Sequence, residues 1–516
     1  MRRPHALVLL VALATGCGST VQSTSVVGGG AVPVGDGLTA APGTTGGAPV
    51  VGGPQALTGT TGGAVVGGAT GSLSTTGGAT SGAVPVEGPV LAPGASGPGV
   101  TATTIRIGFV HDPNAGAVNK AAGVGAISSG DPSANVKAIL DDINKHGGVA
   151  GRKLVPVFAQ FDSTSAQTVD QQWSAVCQTF TRDNPVLFTV EAGTPSFRDC
   201  MAKAGAGIIS ASLPTVGASG FRTHPYFIDM GYPNVDRLAA YLPTSLMEQK
   251  YFTPWNPFSG QPAPAGAVKV GVITYNDGVF THAVDKVLVP ALTKLGFAPL
   301  VERVAEVNTA SDYGAQAASV KSAQLAFAAN GITHVIPFES NGGLSTFFMP
   351  TARAQGYYPR LGINSASAPE ALLEAGAADG SQYNGAVGFG WIPSVDLAHA
   401  DFTANGPYSN ANRRACLKVM HDHGISFDSG NAEGIALSSC ADLYLAVEAL
   451  RGVTGPITPQ VLFSRAEALG KSYQPAGAVG LTFRPGRQDP ADTAYHYVYV
   501  AACTCMRYQG PPQLVP

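Results

Sequence analysis

The chain has 516 residues and a formal net charge of −3 at pH 7, with 30 Lys and Arg against 33 Asp and Glu. This length predicts more than one domain. A charge so near zero offers no basic surface for nucleic acid and excludes that class of partner.

The N-terminus has the features of an export signal. Arg2 and Arg3 precede an apolar stretch over residues 6–14, which is too short to span a bilayer. The following Ala14-Thr15-Gly16-Cys17 resembles a bacterial lipobox, in which the chain is cut before the Cys and its thiol is lipidated. We therefore expect residues 1–16 to be a signal peptide and lipidated Cys17 to anchor the protein to the outer face of the cell membrane. An ordinary secretory signal with an incidental Cys remains the alternative.

Residues 17–103 predict a disordered tether. They consist mainly of Gly, Thr, Ser, Ala, Val and Pro, with almost no charge and with near-repeats of Thr-Thr-Gly-Gly-Ala. No helical or strand period is sustained, so this segment cannot bury enough apolar surface to fold.

From residue 104 strands and helices alternate. The predicted strands cover residues 105–110, 154–159, 186–190 and 208–210. The predicted helices cover residues 135–145, 164–181 and 196–204. The strands are apolar on both faces, which is typical of a parallel sheet covered by helices.

The same alternation begins again after residue 233 and predicts a second α/β lobe. Its predicted strands lie at residues 268–273, within 300–307 and at 334–337. Its predicted helices cover residues 235–246, 281–295, 313–330 and 344–355. A long apolar helix is predicted later, over residues 432–450, and is too apolar for a surface element.

Six cysteines remain after Cys17, an even number that predicts disulfides in an exported protein. Sequence alone leaves many connectivities open. The simplest pairs sequence neighbours: Cys177 with Cys200, Cys416 with Cys440, and Cys503 with Cys505. A zinc site at the last pair is the alternative, but no paired His lies nearby, and we predict no metal and no cofactor.

Residues 143–154, Ile-Asn-Lys-His-Gly-Gly-Val-Ala-Gly-Arg-Lys-Leu, resemble the "INxxGGxxGRxL" passage of the leucine/isoleucine/valine-binding protein family. These are type I periplasmic solute-binding proteins of ABC transporters. Phe161-Asp162-Ser163 follows at the family's spacing. Weaker similarities follow in order at residues 268–280, 333–356 and 441–450, so the resemblance covers residues 104–507.

The resemblance implies an α/β fold of two doubly wound, Rossmann-like lobes joined by a three-strand hinge. Lobe one would comprise residues 104–231 plus 393–480, and lobe two residues 232–392 plus 481–509. It also implies a function: an extracytoplasmic solute-binding lipoprotein of an ABC importer, whose lobes close on a small polar or carboxylate-bearing solute such as an amino acid. The implied partner is a membrane permease.

Two other functions remain open at this stage. A protein of this fold could instead sense its ligand and signal to a membrane partner. An exported hydrolase is the weaker alternative, because the chain has no Gly-x-Ser-x-Gly, His-Glu-x-x-His or P-loop motif. We therefore predict that the protein is not an enzyme.

Ligands of open α/β sheets bind beyond the carboxyl ends of the strands, where helix N-termini favour anions. In the family, two such loops of lobe one hold the ligand carboxylate. They correspond here to residues 191–196, with Thr194 and Ser196, and 210–215, with Ser212. Helix capping is the alternative role for Thr194 and Ser196.

Lobe two is expected to supply Phe280, Glu339, Asn341 and Asn364. Amino-acid binders of the family carry an acid for the ligand ammonium near the position of Asn364, and this chain has none there. That departure weakens the case for an α-amino acid. Glu339 could replace the missing acid, or it could be a solvated residue at a helix start.

Overall fold

The computed structural model describes residues 96–516, apart from 122–124, 126, 212–215, 258–265 and 341. The predicted signal peptide, Cys17 and most of the predicted tether lie outside these residues, as do Ser212 and Asn341. No helix in the described part of the chain is long and apolar enough to cross a membrane.

The first sheet contains five parallel strands: β1 (Thr104–His111), β2 (Lys153–Gln160), β3 (Phe188–Thr189), β4 (Gly207–Ser210) and β5 (Phe227–Asp229). Their spatial order is β2-β1-β3-β4-β5. The helices between them are α1 (Ala115–Ala121), α2 (Pro132–Lys145), α3 (Val169–Gln178), α4 (Pro195–Lys203) and α5 (Ala218–Thr223). The side chains of Ile105, Ile107 and Phe109 are buried on one face of β1, and Gly108 on the other face lies against the buried Phe180 ring, so the predicted burial on both faces is confirmed for the middle of this strand.

The second sheet contains seven strands: β6 (Val270–Tyr275), β7 (Leu300–Val304), β8 (His334–Phe338), β9 (Arg360–Asn364), β10 (Val387–Gly390), β11 (Thr493–Val500) and β12 (Cys505–Leu514). Their order is β12-β11-β10-β9-β8-β6-β7. Strands β6 to β10 are parallel, and β11 and β12 add an antiparallel hairpin at one edge.

The helices of this second half are α6 (Val235–Glu248), α7 (Gly278–Ala283), α8 (Val289–Lys294), α9 (Asp312–Ala329), α10 (Ser345–Ala354) and α11 (Pro369–Glu374). The chain then forms α12 (Pro393–Asp396), α13 (Ala411–Asp422), α14 (Gly430–Leu450) and α15 (Pro459–Glu467) before it returns to the second sheet. Helices α13 and α14 pack against α2 of the first lobe. The chain therefore passes between the lobes three times: after β5, after β10 and before β11.

Helix α2 shows how the sequence sets its own boundaries. The carboxylate of Asp131 accepts a hydrogen bond from the Ala134 N–H (2.9 Å) and caps the first turn. At the other end, the Gly148 N–H donates to the Ile143 carbonyl (2.9 Å). Gly148 has a φ of +71°, and a Cβ there would lie 2.1 Å from the Arg152 carbonyl oxygen. Only glycine fits this turn, so the predicted glycine stop of α2 is confirmed.

Each lobe has its own apolar core. Helix α14 contributes Leu437, Leu443 and Leu445 to the core of the first lobe, as its apolar sequence predicts. Leu481 and Phe483, which the expected boundary assigns to lobe two, also pack in this first core. The third passage of the chain therefore runs along the first lobe before β11 enters the second sheet.

The structure pairs the cysteines as the simplest prediction did. Cys177–Cys200 joins α3 to α4, Cys416–Cys440 joins α13 to α14, and Cys503–Cys505 closes the turn between β11 and β12. Each bridge connects neighbouring elements within one lobe. None of the three would therefore oppose a hinge motion between the lobes.

Candidate functional site

Loops at the carboxyl ends of the parallel strands of the two sheets meet, and the region between these loops is the cleft of the predicted fold. After β2, the Val169 N–H donates to the carbonyl of Asn308, in the loop after β7 (2.8 Å). Beyond β4, the Ala218 N–H donates to Asp236 on α6 (2.8 Å). Loops that follow strands of the first sheet thus contact the second lobe. This is the location at which open α/β sheets bind ligands.

The loop after β3 holds two of the predicted ligand contacts, and both hydroxyls are used within the protein. Thr194 caps α4, with its Oγ1 accepting from the Phe197 N–H (3.4 Å). Its Oγ1 also lies 2.8 Å from the Ser196 Oγ. Ser196 Oγ donates in turn to Asp170 on α3 (2.9 Å). The structure therefore shows the capping role for Thr194 that the sequence analysis gave as the alternative. A ligand contact by Thr194 or Ser196 stays a prediction.

Arg198 on α4 stabilises the loop after β3 by hydrogen bonds. Its guanidinium is buried and donates to the carbonyls of Ala192 (3.2 Å) and Gly193 (2.7 Å). Burial lowers the pKa of Arg198 to about 10, and the neighbouring Asp199 and Asp229 carboxylates oppose that shift. Arg198 thus fixes the shape of the loop and remains charged at neutral pH.

Three carboxyl groups that the sequence did not single out lie near this loop. Glu191 follows β3, Asp229 ends β5, and Asp442 lies on α14. Desolvation raises the pKa of Glu191 to about 7. Burial raises the pKa of Asp442 well above its ordinary value, and the charges of Glu191 and Asp229 raise it further. The pKa of Asp229 is also raised by burial, against a hydrogen bond from the Gly231 N–H (2.9 Å).

In the second lobe, Glu339 follows β8 and is only 2 % exposed. Its carboxylate accepts from the N–H groups of Leu344 (2.7 Å) and Ser345 (3.0 Å), and from the Ser345 hydroxyl. Burial raises the pKa of Glu339 to about 7, although these hydrogen bonds lower it. The carboxylate of Glu339 caps the start of α10 and is buried, so the alternative of a solvated residue is wrong. A ligand contact by Glu339 stays a prediction.

The structure places Phe280 in the core. The residue is 3 % exposed, and its ring contacts those of Tyr275 (5.2 Å between centroids) and Phe338 (5.7 Å). The cause is the cap of α7, because Asp277 accepts from the Phe280 N–H (2.6 Å). Phe280 therefore packs between α7 and the second sheet, and its contact with a ligand stays a prediction.

Asn364 ends β9 and is buried. Its Oδ1 accepts from the Ala366 N–H (2.8 Å) and shapes the turn at Ser365–Ser367. The role of Asn364 seen in the structure is thus to form the loop at the end of β9. Contact with a ligand remains a prediction for Asn364, as it does for Asn341 and Ser212, which lie outside the described residues.

A buried polar network joins strand ends beside the second passage of the chain. Asp396 on α12 accepts from Ser365 Oγ (2.6 Å), the Tyr508 hydroxyl (2.6 Å) and the Ile392 N–H (3.0 Å). Burial raises the pKa of Asp396 to about 7, and these hydrogen bonds oppose the shift. Trp391 is fully buried, and its indole N–H donates to the Gly231 carbonyl (2.7 Å). This network fixes the hinge where two passages of the chain meet, and sequence reasoning missed it.

Two cavities lie away from the cleft. One of about 690 Å³ lies beside α10 in the second lobe, and one of about 510 Å³ lies between α2, α13 and α14 in the first. Neither contains the polar groups at the strand ends. Within the described residues, no group of three or more His, Cys, Asp or Glu could hold a metal ion. The cleft therefore remains the candidate site.

No protein-family model matches the sequence, and no curated protein matches it significantly. Solved structures do match. A possible leucine/isoleucine/valine-binding protein from Rhodopirellula baltica SH 1 is 15% identical with a TM-score of 0.52, covering 79% of this chain and 97% of that one. The chain has the fold of a type I periplasmic binding protein. The fold that the resemblance implied, with two α/β lobes, is thus confirmed.

Two further solved structures have the same fold, and they come from binding proteins for different solutes. A fatty acid ABC transporter substrate-binding protein from Thermomonospora curvata is 17% identical, with a TM-score of 0.51, covering 81% of this chain and 93% of that one. The branched-chain amino acid transporter substrate binding protein LivJ from Streptococcus pneumoniae, in complex with isoleucine, is 14% identical. Its TM-score is 0.51, and the match covers 80% of this chain and 99% of that one. At these identities the similarity establishes the fold and leaves the solute open.

Proposed function

We propose that this protein is a solute-binding protein of an ABC importer, that it captures one small solute between its two lobes, and that it is not an enzyme. The observation that carries the proposal is the arrangement of two sheets of mainly parallel strands, whose strand-end loops contact each other and between which the chain passes three times. This arrangement suits a hinge that closes around a ligand. The ligand would shift the population towards the closed form by binding that form more tightly.

We further propose that the protein acts outside the cytoplasm, held to the membrane by lipidated Cys17. The tether over residues 17–103 would let the folded part reach a membrane permease. The charge and motif pattern before Cys17 supports this proposal. Replacing Cys17 with Ser is expected to release the protein from the membrane fraction, and continued tight association would contradict the lipid anchor.

The solute-binding proposal is tested by a thermal-shift screen of the full chain carrying Cys17→Ser. The library should contain amino acids, amides, amines, small carboxylates and fatty acids, because the solved neighbours differ in solute. A ligand present at about 100 times its dissociation constant adds about 2.7 kcal/mol of stability. One solute class that raises the melting temperature would support the proposal. A well-folded sample that no small molecule stabilises would count against it.

A further inference from the structure

The carboxyl ends of the parallel strands carry charge of one sign. Seven of the ten parallel strands end on a carboxylate or are followed by one within two residues: Asp112, Asp162, Glu191, Asp229, Asp277, Glu306 and Glu339. In the sequence, no Lys or Arg occurs among the three residues after any of these ten strands. The chain as a whole is nearly balanced, with 30 basic and 33 acidic side chains. The excess of carboxylates is therefore concentrated at the carboxyl ends of the parallel strands, which border the cleft.

A second observation comes from α14, a different element of the first lobe. Asp442 is 3 % exposed, and its Oδ1 has no hydrogen-bond partner. Its carboxyl group lies near Glu191 and Asp229, whose charges both act on it. No hydrogen bond from a described residue reaches the carboxylate of Glu191. The buried Asp442 carboxyl thus has one oxygen without the donor that buried carboxylates normally have, and the half-buried Glu191 beside it receives no hydrogen bond from the described residues.

The Arg198 guanidinium does not neutralise these carboxyl groups. It donates to two backbone carbonyls of the loop after β3. Its charge acts on Asp229, whereas its hydrogen bonds within the described residues go to neither Glu191 nor Asp442. One guanidinium beside three carboxyl groups leaves the carboxyl end of the first sheet negative whenever they ionise.

Like charges also meet across the cleft. Asp170 on α3 lies beside the backbone hydrogen bond between Val169 and Asn308. The carboxyl of Glu306, in the second lobe, is affected by both Asp170 and Asp277, and their charges contribute to raising its pKa. Closure therefore brings carboxylates of the two lobes together. A positively charged solute between the lobes would turn this repulsion into attraction.

We propose that the solute is cationic, an amine or guanidinium compound, whose charged group donates hydrogen bonds to Glu191, with Asp442 and Asp229 supplying further negative charge behind it. This proposal rests on the proposed solute-binding function and specifies its solute class. It reverses the expectation from the family resemblance, in which the first lobe holds a carboxylate.

The test uses the full chain with Cys17→Ser and four probes: agmatine, putrescine, glutarate and leucine. Thermal shift and isothermal titration are measured at constant ionic strength, with magnesium chloride as a control for non-specific cation binding. We expect agmatine or putrescine, and neither glutarate nor magnesium chloride, to stabilise the protein. Added salt should weaken this binding.

Glu191→Gln preserves the shape of the side chain and removes its charge. We expect this variant to bind the amine about tenfold more weakly or worse. It should melt at the same or a higher temperature when empty, because a desolvated carboxylate has been removed. The matched control is Asp141→Asn, an exposed carboxylate on α2 outside the cleft, which should bind the amine as the parent does.

Each other outcome overturns the proposal. Stabilisation by glutarate or leucine alone would show a solute-binding protein of another specificity, so that solute binding survives and the cationic class fails. An equal response to magnesium chloride would show a non-selective acidic surface. An unchanged affinity in Glu191→Gln would remove Glu191 from the site. If no probe binds, the cationic class fails, and the wider library screen decides whether solute binding fails with it.

Discussion

Glu191 and Glu339 stand at corresponding places in the two lobes, just beyond the carboxyl end of a buried parallel strand. Burial raises the pKa of each to about 7. Their surroundings nevertheless differ. Three donors from the start of α10 point at the carboxylate of Glu339, whereas no described residue donates to that of Glu191.

The difference separates a structural carboxylate from an available one. Glu339 offsets part of its desolvation cost by satisfying donors that a helix N-terminus would otherwise leave without partners. Glu191 is half-buried, and no described residue offsets its desolvation with a hydrogen bond. A carboxylate that is desolvated and receives no hydrogen bond from the described residues is a candidate for contact with a ligand.

The largest expected effect is on stability, in a matched pair of substitutions. Glu339→Ala leaves the buried donors of Leu344 and Ser345 without an acceptor, so we expect a loss of about 3 kcal/mol in the free energy of unfolding. Glu191→Ala removes no hydrogen bond donated by a described residue and should leave this free energy unchanged or higher. Urea denaturation of both variants measures the difference. Equal losses in the two variants would contradict the distinction between the lobes.

The next effect is the pH dependence of the empty protein. Glu191 has an ordinary pKa of 4.5 and a folded pKa of about 7. Between these values the folded state binds more protons than the unfolded state, so stability falls as pH rises from 4.5 to about 7. Glu191→Gln should reduce this fall by about 2 kcal/mol, as measured by urea denaturation across this range. Glu339, Asp396, Asp442 and Asp229 titrate in the same direction, so part of the slope must persist in the variant.

A pH profile of the Asp141→Asn control should follow that of the parent. If Glu191→Gln shows the parent's full slope as well, then Glu191 is already ionised in the folded state, and a partner outside the described residues stabilises its charge. That result would make Glu191 resemble Glu339, and the contrast between the two carboxylates would be lost.

Much of the fold could be predicted because burial leaves a strong pattern. Strand β1 carries Ile105, Ile107 and Phe109 on its buried face, and helix α14 has buried apolar side chains along most of its length. Helix α3 was predicted to begin at residue 164 but begins at Val169, after a capping box between Thr168 and Gln171. That Thr-x-x-Gln pattern was present in the sequence and would have given the boundary. Strand β5, with three residues, was too short to show a period.

The candidate site was less predictable because it depends on contacts between distant segments. Asp442 is far from Glu191 along the sequence, and the return of α14 to the first lobe brings the two together. Phe280 shows a second difficulty. The family resemblance suggested that this residue lies at the cleft, and in the structure its ring packs against Tyr275 and Phe338, next to the cap of α7 by Asp277. The position of Phe280 in the sequence predicts that it lies near the carboxyl end of the second sheet, but it does not predict the direction of its side chain.

The smallest effect concerns Thr194, for which capping and ligand binding are compatible roles. Thr194→Ala removes the acceptor for the Phe197 N–H and should cost about 1 kcal/mol, whereas Thr194→Ser keeps the hydroxyl and should cost little. The two variants are then compared for affinity towards whichever solute stabilises the parent, measured by titration. A cap alone predicts that Ala lowers stability and leaves affinity unchanged. A hydroxyl that also binds the solute predicts weaker binding in Ala and near-parental binding in Ser. Because Ser restores both roles at once, weak binding in Ser would mean that the methyl group, and not the hydroxyl, contacts the solute.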